Sequence, residues 1–332
     1  MSKYKWTQIR AEGSPVERSS HGVSVVGSQL IVYGGEHVAR TPIDSSVHAL
    51  DLSTSTASDD KKRWVILKPK SEENIPAPRV AHAQCAVGSK VYVFGGRQGV
   101  HMDEAPLNDF YAFDTDSLTW ENLSSECSPS PRSFHRMVGV GDCAIYVFGG
   151  CGAEGRLADL HCYSLKSQTW TQLPSCDLIS GRGGPGFTVS ADNQSLFVIG
   201  GFSGKEMNDV FRYDIQAQTW KEIYAPKNSP VRPFSVSAGA VVSGRIIFFG
   251  GEVEASNKGH EGAGGFAQDC QAFDGVDGSL SPIQIVSDQF PTARGWAAAD
   301  VLGTDRLVVF GGLTGDDENP VRLNDVWVLE PY

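Results

Sequence analysis

Six apolar segments of this chain end in a glycine pair: LIVYGG at Gly34-Gly35, VYVFGG at Gly95-Gly96, IYVFGG at Gly149-Gly150, LFVIGG at Gly200-Gly201, IIFFGG at Gly250-Gly251 and LVVFGG at Gly311-Gly312. The first glycines recur at intervals of 61, 54, 51, 50 and 61 residues. A second strand-like run follows each pair. It begins at Ser46 in the first repeat and with Asp109, Asp159, Asp209, Asp269 and Asp325 in the others. A third element is marked by Trp64, Trp120, Trp170 and Trp220, and each unit is preceded by a run that starts with Arg18, Arg79, Arg132, Arg182, Arg232 or Arg294. Four short strands repeated about every 50 residues are the unit of a propeller blade. The spacing predicts an all-β chain of six blades in one domain over 1–332. The blades fall near 18–66, 79–122, 132–172, 182–222, 232–287 and 294–332, the last completed by 4–10. There the segment Lys5-Trp6-Thr7-Gln8-Ile9 supplies the fourth strand and tryptophan missing after Tyr332, which leaves no open sheet edge.

The combination of glycine pair, Asp-x-x-x-aromatic and tryptophan resembles the kelch repeat, and the resemblance extends over the whole chain. Composition agrees with a turn-rich globular protein: 37 glycines, 17 prolines and 40 % hydrophobic residues exclude a disordered chain. The net charge of −11 disfavours non-specific attraction to nucleic acid or an anionic membrane. No run approaches the roughly 18 apolar residues of a membrane span, so the cytosol is the expected compartment. Seven cysteines without a CxxC pair read as thiols, not as a disulfide framework or zinc knuckle. The nucleophile-elbow, phosphate-loop and HExxH motifs are all missing.

Function then falls to loops carried by the scaffold. Between the second glycine and the third strand these loops hold 10, 12, 8, 7, 17 and 12 residues. The long one, in blade five, places Glu252, Glu254, Glu261 and His260 within ten residues on a glycine-rich tether. Carboxylates and an imidazole suit Fe(II), Mn(II) or Zn(II); the alternative is a solvated acidic loop. This loop, with Arg97 after the second glycine pair, Gly149-Gly-Cys-Gly and Arg294-Gly-Trp296, resembles the kelch subgroup of nitrile-specifier, epithiospecifier and thiocyanate-forming proteins. That resemblance implies a ferrous-iron-dependent breakdown of glucosinolate aglycones, thiohydroximate O-sulfates, to nitriles or related products. It implies Glu252 and His260 as metal ligands, with Ser256 where the subgroup has Asp, so that Glu254 or Glu261 substitutes or the affinity falls. It further implies Arg97 on the substrate sulfate and Trp296 as an active-site residue that walls a pocket or plugs the channel. Arg156 is a candidate second anion contact.

The recurrent arginines would bond carbonyls or an acid of the neighbouring blade, or else line the channel as a cationic ring. His21, His82 and His135, three residues further on in consecutive blades, would bond backbone or hold a metal. Three functions follow as expectations: a metal-assisted lyase acting on a small anionic sulfur-containing substrate, as a monomer or dimer; a non-enzymatic module whose loop face docks a protein; or a related pocket acting on a different small anionic substrate.

Overall fold

The computed structural model describes residues 2–53, 62–99 and 104–332, without the side chain of His260. Blades I to IV are four-stranded antiparallel sheets; in blade III the strands are Arg136–Val140, Ala144–Cys151, Arg156–Ser164 and Thr169–Gln172. Blade VI consists of Ala298–Leu302, Arg306–Gly315 and Pro320–Pro331, and Lys3–Ile9 pairs antiparallel with the last of these in a register of Trp6 opposite Leu329. The chain's two ends therefore share one sheet, as the repeat arithmetic predicts. Blade V has three regular strands, Ala238–Val242, Arg245–Phe249 and Cys270–Asp274. At the place of the missing tryptophan, Leu280 bridges Phe273 as Trp120, Trp170 and Trp220 bridge Phe113, Tyr163 and Tyr213 in their blades.

Apolar residues alternate on each strand and meet between blades, where the tryptophans fill the wedge: Trp170 packs on Phe94, Phe110 and Tyr163 at 5.0–5.4 Å between ring centroids. The glycine pairs are needed because the chain turns where another blade touches it. Gly96 has φ +96°, and a Cβ there would lie 2.7 Å from the Val80 carbonyl oxygen.

The recurrent arginines are structural. Arg79, Arg132, Arg182 and Arg294 each donate to the first glycine carbonyl of their own blade and form a two-pronged ion pair with that blade's Asp109, Asp159, Asp209 or Asp325, at 2.5–2.8 Å for the closer prong. The acid thus belongs to the same blade, not the neighbour as the sequence suggested. The neighbour is reached through the main chain, as where the Gly96 N–H donates to the Arg132 carbonyl at 2.9 Å. In blade I Ser46 stands where the other blades have the aspartate, just ahead of the strand Val47–Asp51, and Arg18 Nη2 is buried without a partner.

Blade V breaks the pattern. Ser235 bridges Glu252 as Val80 bridges Arg97 and Ser133 bridges Cys151. Phe234, fully buried, therefore occupies the arginine position. Arg232 sits two residues earlier, partly exposed and paired with Asp269. The residue aligned with Trp296 is Val236, not Phe234.

The position two residues after each ring arginine, or after Phe234 in blade V, has left-handed backbone in all six blades: Ser20, Ala81, Phe134, Gly184, Val236 and Trp296 have φ between +46° and +56°. Each N–H donates to the carbonyl of the equivalent residue one blade back, at 2.8–3.0 Å, and Ser20 closes the circle on Trp296. Six hydrogen bonds thus make a continuous collar around the channel.

Candidate functional site

Above this collar, on the side of the glycine-pair loops, lies a cavity of about 380 Å³. Its wall brings together Arg97, Arg156, Glu252, Ser256 and Trp296, residues spread over 200 positions of sequence. Arg97 and Glu252 occupy the same repeat position, the first after the glycine pair, in blades II and V, with Cys151 and Phe202 between them in III and IV. Ring closure, and not local sequence, turns these positions toward one space.

Arg97 is held by Ser133 Oγ, which accepts from Nε at 3.1 Å. Arg156 opens the third strand of blade III and lays its guanidinium over the Phe202 ring, 4.7 Å from the centroid. Both cations act on the Cys151 thiol, opposing the rise that burial imposes on its pKa, so the two guanidinium groups flank one region of the wall. Arg40 contributes a third cation to the lining. Trp296 packs edge-on against Phe266, 5.8 Å away, and touches both this cavity and a small void of about 30 Å³ beneath it. Of the two roles expected from sequence, lining a pocket is the one its position matches.

Glu252 is 6 % exposed. Burial and the neighbouring Glu206 carboxylate raise its pKa to about 8, so Glu252 carries a proton at neutral pH. Glu206 is raised as well, mainly by burial, and accepts from Ser235 Oγ at 3.0 Å. With Glu252 neutral, the ionised side chains lining the cavity are arginines, which gives an anion-attracting pocket in a protein of net charge −11.

Ser256 donates its hydroxyl to Asp317 of the blade VI loop, whose other oxygen accepts from the Asn257 N–H at 3.0 Å. A carboxylate from another blade thus stands next to the serine. Glu254 is exposed and lies outside the cavity lining. Glu261 closes the short 3₁₀ turn Gly259–Glu261. His260 lies in that turn, and its side chain is outside the described part. Among the described residues, no three His, Cys, Asp or Glu side chains converge as a metal-ligand set. Within the described part, Glu252 is bonded to a second carboxyl and Ser256 to Asp317.

Sequence reasoning did not select Arg40, Phe134, Phe202, Glu206 or Asp317. Phe134 was open to detection: it is a bulky aromatic at a collar position where the flanking blades have Ala81 and Gly184, and it lines the cavity beside Trp296. Phe202 was open to detection too, since it follows the fourth glycine pair as Arg97 and Glu252 follow theirs; Arg40, Glu206 and Asp317 share no such position.

Residues 1–99 and 59–251 match the KLHDC2/KLHL20/DRC7 Kelch-repeats domain. The chain belongs to the kelch-repeat family. Within curated relatives, this kelch propeller is 30% identical over 341 residues to the N-(sulfonatooxy)prop-2-enimidothioate sulfolyase of Thlaspi arvense, covering 93% of this chain and 92% of that one. It is also 23% identical to human Kelch domain-containing protein 3 over 77% of this chain and 69% of that protein. The solved structure of YjhT superposes with a TM-score of 0.71 over 96% of both chains at 17% identity, a likeness of fold alone. Among the described residues no helix of the propeller is long and apolar enough to cross a membrane.

Proposed function

We propose that this kelch propeller is a specifier-type protein that binds a glucosinolate aglycone, a thiohydroximate O-sulfate, in the upper cavity and directs its fragmentation to nitrile, sulfur and sulfate, or to a related product. The supporting observation is the presence of Arg97 and Arg156 together on the wall of a pocket that also holds Trp296 and Phe134. A planar guanidinium offers two parallel donors to a sulfate. As the N–O bond breaks, negative charge accumulates on the departing sulfate, and cations already in place stabilise that charge more than they stabilise the ground state. The aromatic rings supply the contact for the apolar side chain and exclude water from the reacting carbon. The relative of this chain named as a sulfolyase of a sulfonatooxy-imidothioate points to the same substrate class. All seven cysteines are unpaired thiols, which fits work in the reducing cytosol.

Arg97→Ala combined with Arg156→Ala is expected to weaken binding of a sulfated substrate analogue by more than about 100-fold, taking about 1.5–3 kcal/mol for each of the two charge-assisted contacts. Calorimetry with wild-type and variant protein measures it. Unchanged affinity would remove the anion from this pocket and shift the reading to a loop face that docks a protein.

Iron belongs to this reading only as an addition. Glu252 and His260 are the residues that would hold it, and its chemistry would be Lewis-acid contact with the thiolate. Anaerobic Fe(II) titration should then give binding that disappears in Glu252→Gln and tightens in Ser256→Asp, since a carboxylate is the better oxygen ligand. Equal behaviour of all three proteins would take iron out of the proposal while leaving the anion site standing.

A further inference from the structure

Below the collar, inner-strand residues of all six blades line a second cavity of about 510 Å³. The upper cavity, by contrast, is lopsided. Its cations Arg40, Arg97 and Arg156 come from the consecutive blades I, II and III. Blades IV to VI give it Phe202, Val236, Ala255 and Trp296 and, among the described residues, one acid, Glu252, which is hydrogen-bonded to a second carboxyl. A ligand charged at one end and apolar at the other therefore fits this space one way round.

Blade I holds Arg40 by a device of its own. Glu36 follows the first glycine pair and so stands at the repeat position of Arg97 and Glu252. It is 1% exposed and lies outside the cavity wall. Its Oε1 accepts from the hydroxyls of Ser20, a collar residue, and Ser19, at 2.8 and 3.3 Å, and its Oε2 accepts from the Arg40 main-chain N–H at 2.5 Å. One buried carboxylate thus ties the loop to the collar. Arg40 itself has φ +62°, a left-handed conformation that an arginine keeps only where its surroundings impose it.

The side chain so placed is uncommitted. Arg97 donates to Ser133 and Arg156 lies on Phe202, but among the described residues the Arg40 guanidinium has no hydrogen-bond or ion-pair partner. Two guanidinium groups already suffice for one sulfate ester, which carries a single negative charge. A third cation on the same side of the cavity answers a second negative charge, close to the first.

We infer that Arg40 binds the thiolate of the substrate, so that the upper cavity selects a ligand bearing a second negative charge beside its sulfate. This rests on the function proposed above and needs no metal. With the sulfate on Arg97 and Arg156 and the sulfur on Arg40, the reacting carbon is held between two anchored ends, and the apolar side chain points toward blades IV to VI.

Calorimetry in chelator-treated buffer tests the assignment with two stable probes: a sulfonated thiocarboxylate, ionised at both ends, and its S-methyl ester, which keeps the sulfonate and loses the sulfur charge. Wild-type protein should bind the thiocarboxylate about tenfold or more tightly than the ester. Arg40→Met should abolish that preference and leave the affinity for the ester unchanged, and Arg40→Lys should restore part of it. Arg97→Ala/Arg156→Ala should weaken both probes. A wild type that binds the two probes equally, a preference that survives Arg40→Met, or an equal loss of both probes in that variant overturns the role of Arg40 and leaves the proposed function standing. A wild type that binds neither probe overturns both.

Discussion

Removing residues 2–10 is expected to abolish the native fold rather than trim it. The segment Lys3–Ile9 fills the outer position of blade VI, pairing six residues, Tyr4 to Ile9, with Pro331 to Val326. Tyr4 and Trp6 are 2% and 5% exposed, and Trp6 meets Phe249 of blade V edge-on at 5.0 Å. Loss of a buried tryptophan alone costs about 3–5 kcal/mol. Truncation adds the second aromatic, the whole ladder and a newly open edge strand, against a typical total stability of about 5–15 kcal/mol. The truncated chain should aggregate or elute as an expanded species and show no cooperative thermal transition by circular dichroism. A truncated monomer that melts like the full chain would mean that blade VI closes without this strand. Trp6→Ala, with the strand kept, should melt cooperatively at a lower temperature and so separates packing from pairing.

The second large effect is expected at the most buried of the arginine pairs. Asp209 is 2% exposed and accepts from both prongs of a fully buried Arg182. Asp209→Ala leaves a cation sealed in the blade with only carbonyls and Ser180 for company, and breaking a buried pair in this way costs about 3–5 kcal/mol. Asp269→Ala in blade V is the internal control. Its arginine partner, Arg232, is 30% exposed and Asp269 is 64% exposed, so the loss should stay within about 1 kcal/mol. Urea denaturation of the two variants beside wild type measures the contrast. Comparable midpoints would mean that the blade V pair is structural after all and that Phe234 has not taken over the arginine position.

That pair of variants also marks where sequence reading stopped. The period, the six blades and the closing strand were legible because a strand ending in two left-handed glycines imposes the same requirement in every repeat. Arg97, Trp296, Glu252 and Ser256 were singled out through the resemblance to the specifier subgroup and Arg156 as a cation in the blade III loop; the five line a single cavity, although only Arg97 and Glu252 hold equivalent repeat positions. Blade V was misread because the arginine was taken as the fixed point. The collar asks only for a left-handed residue with an N–H and a carbonyl, so Phe234-Ser235-Val236 satisfies the geometry with none of the usual side chains, and Arg232 drifts outward. Glu206 and Asp317 were invisible for another reason. Each acts on the blade V loop from a neighbouring blade, 46 and 61 residues away from Glu252 and Ser256 in sequence, and no short-range pattern encodes that meeting.

The collar has a consequence for molecular traffic. Its six main-chain bonds run unbroken from blade to blade, and the six residues that make them line a void of only about 30 Å³ between the upper and lower cavities. A waist held by backbone hydrogen bonds cannot widen without breaking them, so the two cavities are joined by a neck of fixed width. One ring of backbone thus divides a single domain into two chambers.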